Sequence, residues 1–251
     1  MRAASPPDTL DAEVDDAIRL QRYERNEADF MRRVVQRGDS VIDLGAQVGV
    51  HTVLLADLVG PRGSVMAVEP CHAHLVRLAS AVETAGAADR VTIVAAAAAD
   101  EDGERSLLVS APGQASRHAW LMPAGREAGP LDVRERVRAV RVDDLPRSSR
   151  VTFMKVDVEG AESLALRGAW RLLASDRPVL LVDLHPHLMP IVSGESADAC
   201  ITRLSTLGYR CCLLGAGVPS TPITEMPTGA VTPVVFLPDD PNSWASRDSG
   251  R

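Results

Sequence analysis

Lysine is almost missing from this chain. Lys155 is the one lysine among 27 basic residues, and arginine carries the rest. A compact ammonium kept inside an apolar strand points to a place where the arginine fork would not fit or would not pair correctly. Basic charge is not in excess either, since the formal net charge is -7. That argues against a nucleic-acid backbone as principal partner, because binding phosphates needs a basic face. No apolar run reaches the roughly 18 residues of a membrane span, so no membrane partner is expected. Met1 to Asp16 is polar and then acidic without an h-region, which speaks against secretion and for a cytoplasmic location. Cys71, Cys200, Cys211 and Cys212 show no C-x-x-C spacing. Neither a disulfide framework nor a zinc site is signalled, as suits a reduced cytosolic chain.

With 251 residues, 45% of them hydrophobic, the chain can bury one substantial core. Residues 1–38 read as an N-terminal helical segment packed on that core, 39–238 as the main domain and 239–251 as a polar tail. Helical spacing over Leu10 to Gln36 offers Ile18, Tyr23, Phe30, Val34 and Val35 as inward positions. Strands are predicted from Val41, over 64–69, 91–95 and 107–109, from Val137 to Val142, and over 151–156, 179–184, 209–214 and 234–237. Helices are predicted from Gly49 to about Leu58, His74 to Ala85, Ala161 to Leu173 and Ala197 to Leu207. The alternation implies a mostly parallel sheet covered on both faces, with the last two strands as an antiparallel pair at one edge. Ser110 to Pro130, rich in Gly, Pro and Ala, reads as a lid, a binding loop or a disordered insert.

The most informative run is Val41-Ile42-Asp43-Leu44-Gly45-Ala46-Gln47-Val48-Gly49-Val50-His51-Thr52. A buried strand carrying an acid enters a glycine turn and then a helix. The next strand ends on Glu69, placed after Gly49 at the spacing of about 20 residues that suits a ribose-binding carboxylate. A dinucleotide fingerprint is lacking, because Gln47 and Val50 stand where glycines should be. Asp43 would repel a pyrophosphate, whereas an ammonium and a sulfonium would be attracted. S-adenosyl-L-methionine fits this turn and NAD fits it poorly. The bland alternative is a tight turn that binds nothing.

A second constellation lies further on. One strand and its exit read Lys155-Val156-Asp157-Val158-Glu159-Gly160-Ala161-Glu162; another reads Asp183-Leu184-His185-Pro186. Residues two apart share a face of a strand, which pairs Lys155 with Asp157 and Asp183 with His185. Neighbouring strands are about 4.8 Å apart, so the two aspartates can meet, and one carboxyl pKa should then rise. Lys155, a metal ion or a substrate cation must balance that repulsion. Metal binding by Asp157, Asp183 and His185 is a minority reading, since the spacing matches no defined site. A structural ion pair, with acids suiting a helix start, is the non-catalytic alternative.

Together these segments resemble the FkbM family of S-adenosylmethionine-dependent methyltransferases. The resemblance rests on Asp43-Leu44-Gly45-Ala46 with Gly49, Glu69-Pro70, Val142-Asp143-Asp144-Leu145, the Lys155 to Glu162 block, and His185-Pro186, and it covers about residues 39 to 186. The family commonly has Asn at the place of Gln47 and Glu at that of Asp183. The resemblance implies a doubly wound, mostly parallel seven-stranded Rossmann-like α/β sheet with an antiparallel edge hairpin. It implies S-adenosyl-L-methionine as cofactor and O-methylation of a hydroxyl on a small secondary metabolite or sugar. The cofactor set is then Asp43, Gly45, Ala46, Gln47, Gly49, Thr52, Glu69 and Asp100, the last placed to bond the adenine amino group. The catalytic set is His185, Asp157 and Lys155, with a neutral His185, of reference pKa about 6.5, taking the hydroxyl proton. Competing readings are an NAD(P)-dependent reductase and a non-catalytic partner that keeps the cofactor fold. His51, Cys71, His72, Asp102, Asp143, Asp144, His118 and Trp120 are lesser candidates for which packing or turn chemistry serves as well.

Overall fold

The structure is a computed structural model, described here for residues 24–110, 119–123, 132–227 and 229–239. Ile18, Tyr23 and His118, and most of the insert and the tail, lie outside the described residues. Helix α1 (Arg25–Val34) leads into β1 (Ser40–Leu44), α2 (Val50–Val59), β2 (Ser64–Glu69), α3 (His72–Thr84) and β3 (Val91–Ala95). Next come β4 (Ala97–Ala98), β5 (Gly103–Ser110), β6 (Ala119–Leu121) and β7 (Asp132–Val140). The second half holds β8 (Val151–Val156), α4 (Glu162–Gly168), α5 (Trp170–Asp176), β9 (Val179–Leu184), α6 (Met189–Val192) and α7 (Ala197–Ser205). It closes with β10 (Tyr209–Gly215), β11 (Val218–Ile223) and β12 (Thr232–Pro238).

Eight strands form the main sheet in the order β11-β10-β12-β9-β8-β1-β2-β3. The five strands from β9 to β3 are mutually parallel; β12 runs antiparallel between β9 and β10, and β11 pairs antiparallel with β10. Apolar side chains fill both faces. Phe30, Val34 and Val35 pack with Val41, Leu55, Val65 and Leu78 on one side. Leu166, Leu172, Leu173, Ile201 and Leu204 pack with Ile42, Met154 and Leu180 on the other. This is the doubly wound layer architecture that near-continuous apolar strands require. No described helix is long and apolar enough to cross a membrane.

Three expectations change. The main sheet has eight strands, not seven, because β11 adds an outer edge. Its sequence, Val-Pro-Ser-Thr-Pro-Ile, carries two prolines, and an edge strand tolerates them. The predicted edge pair, β10 and β12, is antiparallel, yet it does not itself form the edge, because β11 lies outside β10. The predicted helix 161–173 is broken at Gly168-Ala169, where a side chain on Gly168 would sit 1.8 Å from the Ala99 carbonyl oxygen.

The segment between β3 and β8 builds a second sheet, in the order β4-β7-β5-β6. Ala97, Leu107, Leu121 and Val137 from it cluster with Cys71 and Ala161 of the main body. Glu135 of β7 also accepts a hydrogen bond from the His72 N–H at the start of α3. The small sheet therefore stands as a wall beside the carboxyl ends of β2 and β8. The described part of the 110–130 insert is its outermost strand, β6.

Candidate active site

Parallel strands put their carboxyl ends on one edge, and ligands of open α/β sheets bind there. At that edge the exits of β8, β1 and β2 stand side by side. The chain leaves β1 through a turn that only particular backbones allow. Gly45 has φ +81°, and a Cβ there would lie 1.8 Å from the Asp157 carbonyl oxygen. Gln47 also has positive φ (49°), which costs a non-glycine residue some strain. Its N–H points at Glu69 and donates to Oε2 at 2.9 Å. Gly49 begins α2 in the left-handed region, and a Cβ on it would meet Leu78 of α3 at 2.8 Å. Its described role is thus to let two helices close on each other.

Glu69 is 4% exposed and held by three donors. Besides Gln47, its Oε1 accepts from the Cys71 N–H at 2.8 Å and lies 3.2 Å from His74 Nδ1. Burial lowers the His74 pKa, but hydrogen bonds to Cys71 and Glu69 outweigh it, and the imidazole is pushed up to about 9. His74 is a residue the sequence reading passed over. Its only signal is the short Glu69-Pro-Cys-His-Ala-His74 spacing from a strand end into the first turn of a helix.

Gly45, Gln47, Glu69, Pro70 and His74, with Ala97 and Ala98 below, line a solvent-open cleft with about 570 Å³ of empty space. Its far wall is Leu107, Ala119 and Leu121 of the second sheet, and Asp157, Val158 and Glu159 close it on the β8 side.

An inner chamber of Glu24, Asp43, Gly45, Ala46, Gln47, Val50, His51, Lys155 and Asp157 adjoins it. Asp43 is 0% exposed and sits opposite Lys155 in the β1–β8 register. Its Oδ2 accepts from Thr52 Oγ at 2.6 Å, while its Oδ1 is buried with no hydrogen-bond partner. Burial raises the Asp43 pKa, with Lys155 and Thr52 opposing. Lys155, 2% exposed, donates to Asp157 Oδ2 at 3.2 Å. Burial alone would lower its pKa, but the carboxylates of Asp157, Asp43, Glu24 and Asp183 outweigh that and hold it above the ordinary lysine value. The lone ammonium is therefore charged throughout the working range. His51 is pushed down to about 3 by burial and by Lys155, so it is neutral beside Glu24.

The two aspartates do meet: carboxylate oxygens of Glu24, Asp157 and Asp183 lie within 4.8 Å of one another. Burial raises the Asp157 pKa, yet Lys155 and His185 outweigh it and hold the group below the usual carboxylate range. Asp183 goes the other way, pushed well up by burial and by repulsion from Asp157. Of the two, Asp183 is the one that takes up a proton more readily.

His185 Nδ1 lies 3.0 Å from both Glu162 Oε1 and the Asp183 carbonyl oxygen. Both neighbours are acceptors, so Nδ1 carries the hydrogen. Nε2 faces Glu159 at 3.6 Å and Asp157 at 4.0 Å. Burial lowers the imidazole pKa, but Glu162 and then Asp157 and Glu159 outweigh it and push it up to about 9. The expectation of a neutral His185 near pH 7 is corrected accordingly. The three surrounding carboxylates, Glu162, Asp157 and Glu159, come from another strand's exit and were not visible from one strand's spacing.

Two cofactor candidates stand elsewhere than expected. The Asp100 carboxylate is taken by the Arg167 guanidinium at 2.9 and 3.1 Å, and Arg167 also holds Glu195 at 3.0 Å. Asp100 is not among the residues lining the cleft. Thr52 is buried behind Asp43 and orients it. Asp143 accepts the Arg171 and Leu172 N–H groups at the start of α5, a structural role, and Asp102 likewise accepts the Arg141 N–H.

The donor set suits S-adenosyl-L-methionine. Glu69 is placed as an acceptor for ribose hydroxyls, and the orphaned Asp43 oxygen in an acid-lined chamber suits an ammonium or sulfonium. A pyrophosphate there would face Asp43 and Asp157 and the side-chain-bearing Gln47.

Comparison with known proteins agrees. Residues 43–211 match the profile of the methyltransferase FkbM domain. Among solved structures the chain is similar to methyltransferase FkbM from Methylobacillus flagellatus KT, with TM-score 0.53 and 18% identity over 79% of this chain and 43% of that one. It is also similar to a putative rRNA-methylase from Clostridium thermocellum, with TM-score 0.50 and 13% identity over 84% of this chain and 92% of that one. The chain thus spans less than half the length of the Methylobacillus protein, and at these identities the likeness is one of fold. Among curated proteins none matches the sequence significantly. The family match, which runs from Asp43 through the whole Lys155 to His185 constellation, decides the assignment: this chain belongs to the FkbM family of methyltransferases.

Proposed function

We propose that this protein moves a methyl group from S-adenosyl-L-methionine to a hydroxyl of a small secondary metabolite or sugar. The observation that carries the reading is the imidazole of His185. It is oriented through Nδ1 by Glu162 and presents Nε2 toward Asp157 and Glu159, two acids that line the cofactor cleft. When bound, the cofactor supplies an electrophilic methyl on a positively charged sulfur. Glu69 holds the ribose hydroxyls, and Asp43, kept in place by Thr52 and Lys155, faces the ammonium. Asp157 holds the acceptor hydroxyl, and His185 Nε2 receives its proton. Displacement at a methyl spreads charge, so alignment matters more than an oxyanion hole.

A histidine pushed up to about 9 is mostly protonated at neutral pH. Its neutral fraction grows with pH. Turnover should therefore climb as the pH approaches 9. We also propose a cytoplasmic location, which buried thiols outside any disulfide suit.

Calorimetric titration with S-adenosylmethionine, S-adenosylhomocysteine and NADH tests the cofactor. Micromolar binding of the first two, lost in Glu69→Ala, with no heat from NADH, supports the reading. Binding of NADH alone would replace it with the reductase. Screening hydroxylated acceptors with His185→Ala as control then tests the chemistry. Cofactor binding without turnover of any acceptor would favour the non-catalytic partner.

A further inference from the structure

We propose that Glu69, Cys71 and His74 form a binding site for a zinc-like divalent ion, and that the ion and the cofactor exclude each other. One ligand atom from each of the three side chains lies within 4.8 Å of the other two, and Glu69 Oε1 is 3.2 Å from His74 Nδ1. Zinc bonds of about 2.0–2.3 Å in a tetrahedron put ligand atoms about 3.5 Å apart. The cluster thus needs a contraction of only about an ångström to close on an ion. A thiolate, an imidazole and a carboxylate are zinc's preferred donors, and three protein ligands leave a fourth position for water.

The arrangement is built rather than accidental crowding. Glu69 ends β2, Cys71 precedes the first residue of α3, and His74 lies in that helix's first turn, so one strand-to-helix junction supplies the whole set. Backbone amides of Gln47 and Cys71 already orient the carboxylate. The thiol is buried in an apolar shell of Ala97, Leu107, Leu121, Val137 and Ala161, which excludes competing water. Glu69 and His74 line the cleft, so an ion can enter from the side the cofactor uses. Sequence spacing gave no hint of this, because the usual signal is a C-x-x-C pair and here the second sulfur is replaced by groups from a strand end.

Exclusion follows from shared atoms, and this half of the proposal rests on the cofactor reading. Glu69 cannot give a lone pair to an ion and both oxygens to ribose hydroxyls at once. Loading with zinc should then switch off cofactor binding.

The test uses reduced, chelator-treated protein titrated with Zn²⁺ alone by calorimetry and with Co²⁺ alone by absorbance. Each titration is repeated at saturating S-adenosylhomocysteine. One equivalent should bind, the cobalt form should show a thiolate-to-metal charge-transfer band, and the adenosyl compound should weaken both. Cys71→Ser should remove the band and cut affinity at least about 100-fold, and His74→Ala, checked for an intact thermal melt, should also weaken it. Unchanged affinity in both variants, or a cobalt complex without the band, overturns the site. Zinc binding through these residues that S-adenosylhomocysteine leaves untouched overturns the exclusion. Failure of the metal-free protein to bind S-adenosylhomocysteine would instead count against the cofactor reading, while a zinc affinity lost in Cys71→Ser would still support the site.

Discussion

Glu69 and Asp157 leave the two strands that flank β1, and both face the same cleft, yet they are held in opposite ways. Two of the three donors on Glu69 are backbone amides, and its position is set by the turns around it. Asp157 is held by a side chain, Lys155, and is surrounded by Asp183, Glu24 and His185, which compete for protons. A carboxylate fixed mainly by amides is a stable acceptor. A carboxylate among several titratable neighbours, one of them with a raised pKa, is where protons can move. In the mechanism we propose, the same residue chemistry thus serves binding at one strand end and proton handling at the other.

Four substitutions sharpen or break that contrast. The largest effect belongs to His185→Gln, which should lower kcat by about 10²–10⁴ and leave S-adenosylhomocysteine affinity nearly unchanged. In the parent protein kcat should rise toward pH 9, the value to which Glu162 and its neighbours push His185. A variant that keeps this limb would place the base elsewhere. The same group bears on stability. Its folded pKa is raised from 6.5, so its stabilisation is complete below about 6.5 and lost as pH rises through about 9. Urea melts should lose up to about 3 kcal/mol across that interval in the parent and far less in the variant.

Lys155→Met comes next. It leaves Asp43 and Asp157 buried without their counter-charge and should cost about 3–5 kcal/mol in urea unfolding. A loss under 1 kcal/mol would mean that the ammonium is dispensable to the acid cluster. Glu69→Ala removes the fixed acceptor and should weaken S-adenosylhomocysteine by about 100-fold, two charge-assisted hydrogen bonds of about 1.5 kcal/mol each. A tenfold or smaller change, measured by calorimetry, would deny Glu69 the ribose role. Asp100→Asn should be the quietest. It loosens a half-exposed pair with Arg167, costs less than about 1 kcal/mol, and leaves adenosyl binding as it was. A clear loss of affinity would return Asp100 to the cofactor site.

The local pattern made much of this legible. Strands β3, β8 and β9 have the bounds that their apolar runs predicted, and Gly45, Gln47, Glu69 and Asp157 line one cleft, with Lys155 in the chamber that adjoins it. Period and turn chemistry act over a few residues, so they can be read from a few residues. Asp100 could not be placed that way, because its partner Arg167 is 67 positions distant. Nor could His74, whose meaning depends on the rotation of α3 against Glu69.

By itself, then, the sequence determined a doubly wound sheet, an acid-bearing glycine turn, and two acidic strand ends at its carboxyl edge. Each follows from alternation, backbone sterics or spacing along one strand. Tertiary structure alone decided which carboxyl pKa values rise and which fall, that His185 is pushed up to about 9, and that a second sheet walls the cleft. Those outcomes depend on burial and on charges brought together from distant segments. The electrostatic energy of a group is set by its neighbours in space, and no window of sequence contains them all.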